Sequence, residues 1–498
     1  MSTGDTPATP RSASAPLMAS GPARREMVAL GGAAIVAGVL TGHLVGADLW
    51  PLALVLILAL PSFVVLHRYP LAAVSVWLVV SPLVSTTEGT GARHVYWLIH
   101  RALPPAALAA LAVSSLLGLR RRALPRLGWP EALMGGYVVV SLLSIAYTAP
   151  HPLANTYLLY DTVVIPMCLY LVVRLSDPDE ADVRRLALAV AFILVVQAAV
   201  GLLSWNAPQV LPDEWTRKAG QRTTGTLRSA DAFGTTMVFC GLFLLHIGVR
   251  AERPLKRVAA MALCLLAMLM VFLSFSRASW LAALLAGTGA LVMYRVHLGR
   301  VALAVAPIVV LVWASGLLTQ QFNFAEYRVT SAQAEESALS RLPAAQAALR
   351  MFDQEPVVGW GYQNFDLYSR PFQGQVGDLV GAAKPHASHN LYLTTLAEQG
   401  LAGFALFLGP VLCWVVRTRA ALPYIPRAGL LGRHFVLCLW LIVAAYHVTN
   451  NFSRMYVTTG LGLFWLTLGL IAAVVERHRP RPTPADKARM RLAKAGRG

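Results

Sequence analysis

From Leu186 to Leu203 the chain reads LALAVAFILVVQAAVGLL, eighteen residues with one amide and no charge. About 20 consecutive apolar residues wound as a helix span a bilayer, and lengths of this kind recur throughout. The runs fall at 27–46, 50–66, 71–86, 102–119, 131–149, 155–173, 183–203, 232–250, 258–276, 278–295, 300–318, 391–416, 430–450 and 455–475. Hydrophobic residues make up 56% of the chain and charged ones 13%, where a soluble domain is about a quarter charged. The expectation is an all-α polytopic membrane protein with about 12–14 transmembrane helices. Its lower bound allows for the short runs interrupted by Pro51, Pro61, Pro82, Pro104 and Pro105. No internal repeat of the kind that marks many transporters is visible.

The formal net charge of +18 would suit a nucleic-acid surface if it were gathered on one face. It is not. Residues 319–390 hold five basic and seven acidic side chains, net −2, whereas 476–498 hold eight Lys or Arg and two acids, net +6. Basic side chains in tails and short loops follow the positive-inside rule, so nucleic acid is not an expected partner and membrane lipids are. Alternating the runs from Arg24 and Arg25 makes both termini cytoplasmic, with 86–101, 204–231, 319–390 and 450–454 facing outward.

The chain then divides into a disordered cytoplasmic tail (1–26), helices 1–11 (27–318), a large periplasmic loop (319–390), helices 12–14 (391–475) and a basic cytoplasmic tail (476–498). The first tail is too polar and long for a cleavable signal peptide. All five cysteines lie inside apolar runs, which leaves neither a disulfide framework nor a CxxC metal site. Long loops in compact proteins are functional or disordered, and this one is patterned. Ser340 precedes RLPAAQAALRMF, apolar at helical spacing, Pro356 ends it, and a turn-rich VVGWGYQNF follows. The loop is therefore expected to fold, with a helix near the membrane surface.

Arg277, in SFSRASW, falls at the outer end of a span. An arginine there either snorkels to the interface or serves a site. Arg222 and Arg228 in RTTGTLRSADAFG, Arg341 at the start of the loop helix and Lys384 are further outward cations. Singly each reads as a solvated charge; as a set they read as an anion site. His386 and His389 in PHASHN stand three apart and admit three readings. They are a zinc pair, though without a clear third ligand; part of a helix start in which Ser388 and Asn390 satisfy backbone amides; or a general base for a hydroxyl. Glu398 lies about half a helical turn out of phase with His389 and reads, with Gly400 and Gly403, as packing and capping. Tyr362, Trp360 and Phe372 suit stacking on sugar rings and core packing equally.

SRLPAAQAALRMFDQEPVVGWGYQNF followed by HNLYLTTLAEQGLAGF resembles the O-antigen ligase and polysaccharide polymerase superfamily. The matching positions are Arg341, then Asp353, Pro356, Gly359, Gly361, Asn364 and Phe365, then His389, Asn390, Glu398, Gly400 and Gly403. Ser276, Arg277 and Ala278 match the family's S-R-[GA] element. The segment from Gly225 to Gly234 matches its glycine-led stretch, except that Ala230 or Asp231 replaces the usual asparagine. The likeness covers roughly 220–475, each piece loose alone and the ordered set specific.

The resemblance implies a GT-C-like, metal-independent glycosyltransferase of the bacterial inner membrane that needs no cofactor. Its donor would be a glycan on undecaprenyl diphosphate, and its acceptor a hydroxyl of another glycan, lipid A core or another molecule. His389 would be the base, with Arg277 and Arg341 stabilising the leaving diphosphate. Arg222, Arg228, Lys384, His386 and Tyr362 would help bind diphosphate or glycan. Arginine forks suit phosphate oxygens, so the residue chemistry agrees. Polymerase and ligase remain equal readings. A transporter or flippase of lipid-linked oligosaccharide is the alternative of another class, with Asp161, His246 and His447 as its candidate intramembrane groups.

Overall fold

The computed structural model describes residues 32, 35–41, 43, 47, 50–87, 89–120, 123–216, 222–316, 319–332, 335, 339, 341–373, 388–452 and 458–479. The expected tail at 1–26 and most of the run at 27–46 and of the tail at 476–498 lie outside them. Two units are distinguished. The smaller comprises Met1–Arg68 and Ala109–Leu124, and the larger comprises Tyr69–Leu108 and Pro125–Gly498.

Among the described residues the chain is all helix. The smaller unit contains α1 (Trp50–Arg68) and the end of α3 (Thr90–Leu116). The larger holds α2 (Pro70–Val84), most of α3, α4 (Trp129–Thr148), α5 (Pro152–Ser176), α6 (Glu180–Asn206), α7 (Ala230–Val249), α8 (Pro254–Leu273) and α9 (Arg277–Ala314). After these come α10 (Thr319–Thr330), α11 (Arg341–Gln354), α12 (Leu391–Ala421), α13 (Arg433–Asn450) and α14 (Thr458–His478). Proline opens α2, α5 and α8, where its missing N–H costs nothing. Asp179 caps α6 by accepting from the Asp182 amide at 2.9 Å.

Nine helices among the described residues are long and apolar enough to cross a membrane, ten if a pair of shorter neighbours counts as one span. The protein is an all-α polytopic membrane protein. That count leaves out most of the expected run at 27–46, which lies outside the described residues, and two features of the sequence runs bear on it. The runs at 278–295 and 300–318 join into α9, one helix of 38 residues broken only at Tyr294. Polar ends, Arg433 and His434 at one and His447 and Asn450 at the other, dilute the apolarity of α13.

Burial follows solvent. Helices α7 and α14 are buried along nearly their whole length, whereas α8 and α9 expose leucines such as Leu281 and Leu284. In lipid an exposed leucine is the ordinary outer surface, and packing inside depends on close approach. At one end of the bundle the fully buried Arg174 pairs with Glu131 and Glu476, each at 2.7 Å, joining α4, α5 and α14. At the other end the segment between α11 and α12 docks, and there the candidate site lies.

That docking depends on a break in α12. Gly400 has φ +58°, and a Cβ there would stand 2.4 Å from the Val357 carbonyl. Into the break the turn-rich segment inserts: Trp360 and Gly361 amides donate to the Ala397 and Glu398 carbonyls at 2.9 and 2.7 Å. In return, the Leu401 and Ala402 amides donate to the Pro356 and Val357 carbonyls. Glu398 accepts from the Phe365 amide at 3.2 Å, a bond within this docked turn. Ala347, Ala348, Met351 and Phe365 bury around Ala397, with Trp360 and Phe372 beside them.

Candidate active site

A cavity of about 440 Å³ opens where the starts of four helices meet. Asp231 comes from the first turn of α7, Arg277 from the first residue of α9, Arg341 from the first residue of α11 and Asn390 from the cap of α12. Arg222, Arg328 and His389 line it as well, and Asn451 and Phe452, just past α13, close one side. A helix start carries partial positive charge and unpaired amides, which favours anions. Adding arginines there makes the concavity strongly cationic.

Local sequence explains each placement. A Cβ at Gly234 would lie 2.4 Å from Ser279 Oγ, so glycine lets the starts of α7 and α9 approach closely. Across that approach Ser276 Oγ donates to Asp231 Oδ1 at 2.5 Å and also accepts from the Ser279 amide at 3.1 Å, fixing the turn before Arg277. Arg341 Nη1 donates to the Phe452 carbonyl at 3.1 Å, tying α11 to the end of α13. Burial lowers the pKa of Arg341; Asp231 opposes this, and Arg277 and Arg222 add to it. Crowding of like charge in a half-dry site has that effect.

Asn390 caps α12, its Oδ1 accepting from the Tyr392 and Leu393 amides at 2.9 and 3.0 Å. Its Nδ2 reaches the Asn451 carbonyl at 3.2 Å. His389, immediately before this cap, has φ +50°. A left-handed backbone is uncommon outside glycine and, for histidine, costs about 1–2 kcal/mol. The cap and the Ser388 hydroxyl, which accepts from the Asn390 amide at 3.2 Å, hold it there. His389 there lines the cavity at the start of α12.

The fold thus brings Arg222, Arg277, Arg341 and His389 together. Arg228 is placed elsewhere: its guanidinium donates to the Thr86 carbonyl at 2.5 Å and pins its loop to the end of α2. Tyr362 is also elsewhere. It is buried against α4 and α5, with its amide donating to Ser144 Oγ at 2.8 Å and its hydroxyl 3.3 Å from Thr162 Oγ1. Lys384 and His386 lie outside the described residues. Arg328 was not singled out from sequence; its outward position and positive charge were the available signal. Among the described residues no group of three His, Cys, Asp or Glu is placed to hold a metal ion.

The intramembrane groups that a transporter would use are bound into the packing. Asp161 accepts two bonds from Arg101 at 2.7 Å each. His246 contacts the Tyr294 hydroxyl at 2.7 Å and the Leu430 carbonyl at 2.8 Å, and His447 contacts the Tyr392 hydroxyl.

A multi-pass helical membrane protein with a cationic, histidine-bearing cavity at one end of its bundle is the class these features define. Residues 234–408, from α7 into α12, match the family model described as O-antigen ligase. The match gives this segment, about a third of the chain, the likeness of an O-antigen ligase domain, which belongs to glycosyl-transferring membrane enzymes that act in general with lipid-linked glycans and glycan acceptors. It takes in Arg277, Arg328, Arg341 and His389, while Arg222 and Asp231 precede it. No curated protein matches the chain.

Proposed function

We propose that the protein moves a glycan from undecaprenyl diphosphate to an acceptor hydroxyl at the outer face of the bacterial inner membrane, in O-antigen or exopolysaccharide assembly. The observation that carries this is the meeting of Arg222, Arg277, Arg341 and His389 on one cavity at four helix starts. The loop face is then the outer face, and both termini are cytoplasmic. In the reaction the C1–O bond to the diphosphate breaks and its electron pair leaves with the phosphate oxygen. The acceptor oxygen bonds to C1 and its proton passes to the His389 imidazole. Arg277 and Arg341 stabilise the charge on the departing diphosphate by two-pronged hydrogen bonds. No step requires a metal or a nucleotide. Whether the acceptor is another lipid-linked repeat unit or lipid A core separates polymerase from ligase, and the glycan ladder of a deletion strain reads that directly.

Purified protein with lipid-linked donor tests the division of labour. His389→Ala lowers single-turnover rate by roughly 10²–10⁴-fold with donor affinity little changed. Arg277→Ala and Arg341→Ala weaken both quantities, and lysine at either position does not restore them, because a point charge cannot replace a fork. A normal rate in His389→Ala removes it from the site.

A further inference from the structure

Arg328 belongs to none of the motifs that name the other cavity residues. It sits near the end of α10, lines the cavity, and its Nε is buried with no hydrogen-bond partner among the described residues. Its helix is held by aromatic packing. Phe322 lies 5.3 Å from Phe272, and Phe324 meets Phe275 edge-on at 4.7 Å. Phe272 and Phe275 flank the corner between α8 and α9, just before Ser276 and Arg277, so Arg328 is registered to the turn that carries Arg277. Burial pushes Arg328 down to about 10, helped by Arg222, Arg277 and Arg341 and opposed by Asp231. It is cationic at neutral pH.

The charge count is informative. Four guanidiniums line the cavity against one carboxylate, Asp231, among the described residues, which is net +3. A glycan-linked polyprenyl diphosphate is esterified at both ends and carries about two negative charges. Once C1 leaves, the terminal phosphate becomes a monoester and the total rises to about three. We propose that Arg328 supplies the cation that matches the departing diphosphate monoester rather than the intact donor. This rests on the reading of the cavity as a diphosphate site. The electron pair of the breaking C1–O bond stays on the terminal phosphate, whose new charge meets Arg328. An interaction that strengthens only as the bond breaks accelerates the step without tightening the ground state.

The test uses full-length protein in detergent and two probes. Farnesyl diphosphate is a monoester, and its methyl ester at the terminal phosphate is the matching diester. Wild type prefers the monoester by roughly tenfold, the scale of one added ion pair in a partly desolvated site. Arg328→Gln brings the two affinities together by weakening the monoester alone, and it lowers kcat for transfer at unchanged donor KM. Arg328→Lys, which keeps the charge, retains the preference. Arg277→Gln weakens both probes. An undiminished preference in Arg328→Gln overturns the inference while leaving the diphosphate site intact. If Arg328→Gln binds neither probe, Arg328→Lys decides: a retained preference supports the inference, and its loss overturns it. Wild type that binds neither probe removes the diphosphate reading itself.

Discussion

Gly234→Ala is the most searching perturbation of the site that touches none of its charged groups. The added methyl would stand 2.4 Å from Ser279 Oγ, 2.5 Å from Ser279 Cβ and 3.0 Å from Ser274 Oγ. Ordinary contact needs about 1 Å more, and each of those atoms lies in the tightly bonded corner around Ser276. Relief therefore comes from parting α7 from α9. Overpacking of this kind costs about 1–3 kcal/mol in stability. Function suffers more, because α7 carries Asp231 and α9 carries Arg277. A misplacement of about 1 Å costs roughly 10²-fold in rate, so kcat/KM for transfer is expected to fall by that factor while the protein remains folded and monodisperse. Ser279→Gly removes two of the three obstructing atoms, and the double variant is expected to recover most of the activity. The assay is transfer from lipid-linked donor, read beside thermal unfolding of each variant. A Gly234→Ala enzyme with wild-type turnover, or a loss that Ser279→Gly leaves untouched, would show that the α7–α9 approach does not position the site.

Two further outcomes are expected. EDTA is expected to leave transfer intact, since the sequence sets no clear third ligand beside His386 and His389; loss of activity restored by a divalent ion would return His386 and His389 to the metal reading. A reporter fused after Gly374 is active only in a periplasmic format, given the net −2 of 319–390 against the net +6 of 476–498, and cytoplasmic activity would overturn the site's placement.

Much of this was legible in sequence because lipid imposes simple rules. Apolar length and basic loops fix which ends of helices share a face, and Arg222, Arg277, Arg341 and His389 all fell on one face by that reasoning. What could not be read was direction within the face. Arg228 is six residues from Arg222, yet a left-handed backbone at φ +55° accompanies its turn toward Thr86 and away from the cavity. Tyr362 stands in the turn-rich segment beside Trp360, but the amide bonds at the Gly400 break carry it beneath the loop. Arg328 escaped notice because α10 is short and polar and matches no motif; only the aromatic contacts to Phe272 and Phe275 bring it to the site. Periodicity is also blind to how runs join, since nothing in an apolar run says whether Arg295 to Arg300 ends one helix or lies within it.

The arrangement has a cost that points to its purpose. Arg277 and Arg341 each occupy the first residue of a helix, where the macrodipole disfavours a cation by about 0.3–1 kcal/mol. They stand beside Arg222 and Arg328, and burial and this crowding lower the pKa of Arg341 and Arg328 despite Asp231. Nothing in packing requires that concentration: Arg174 shows how the same chain places a buried arginine for structure alone, between two carboxylates at 2.7 Å. A cluster with one carboxylate among the described residues, at helix starts that themselves favour anions, becomes more favourable when a polyanion enters. Under the proposed function, the same excess of positive charge that lowers stability in the resting protein is what a leaving diphosphate would meet as its bond to sugar breaks.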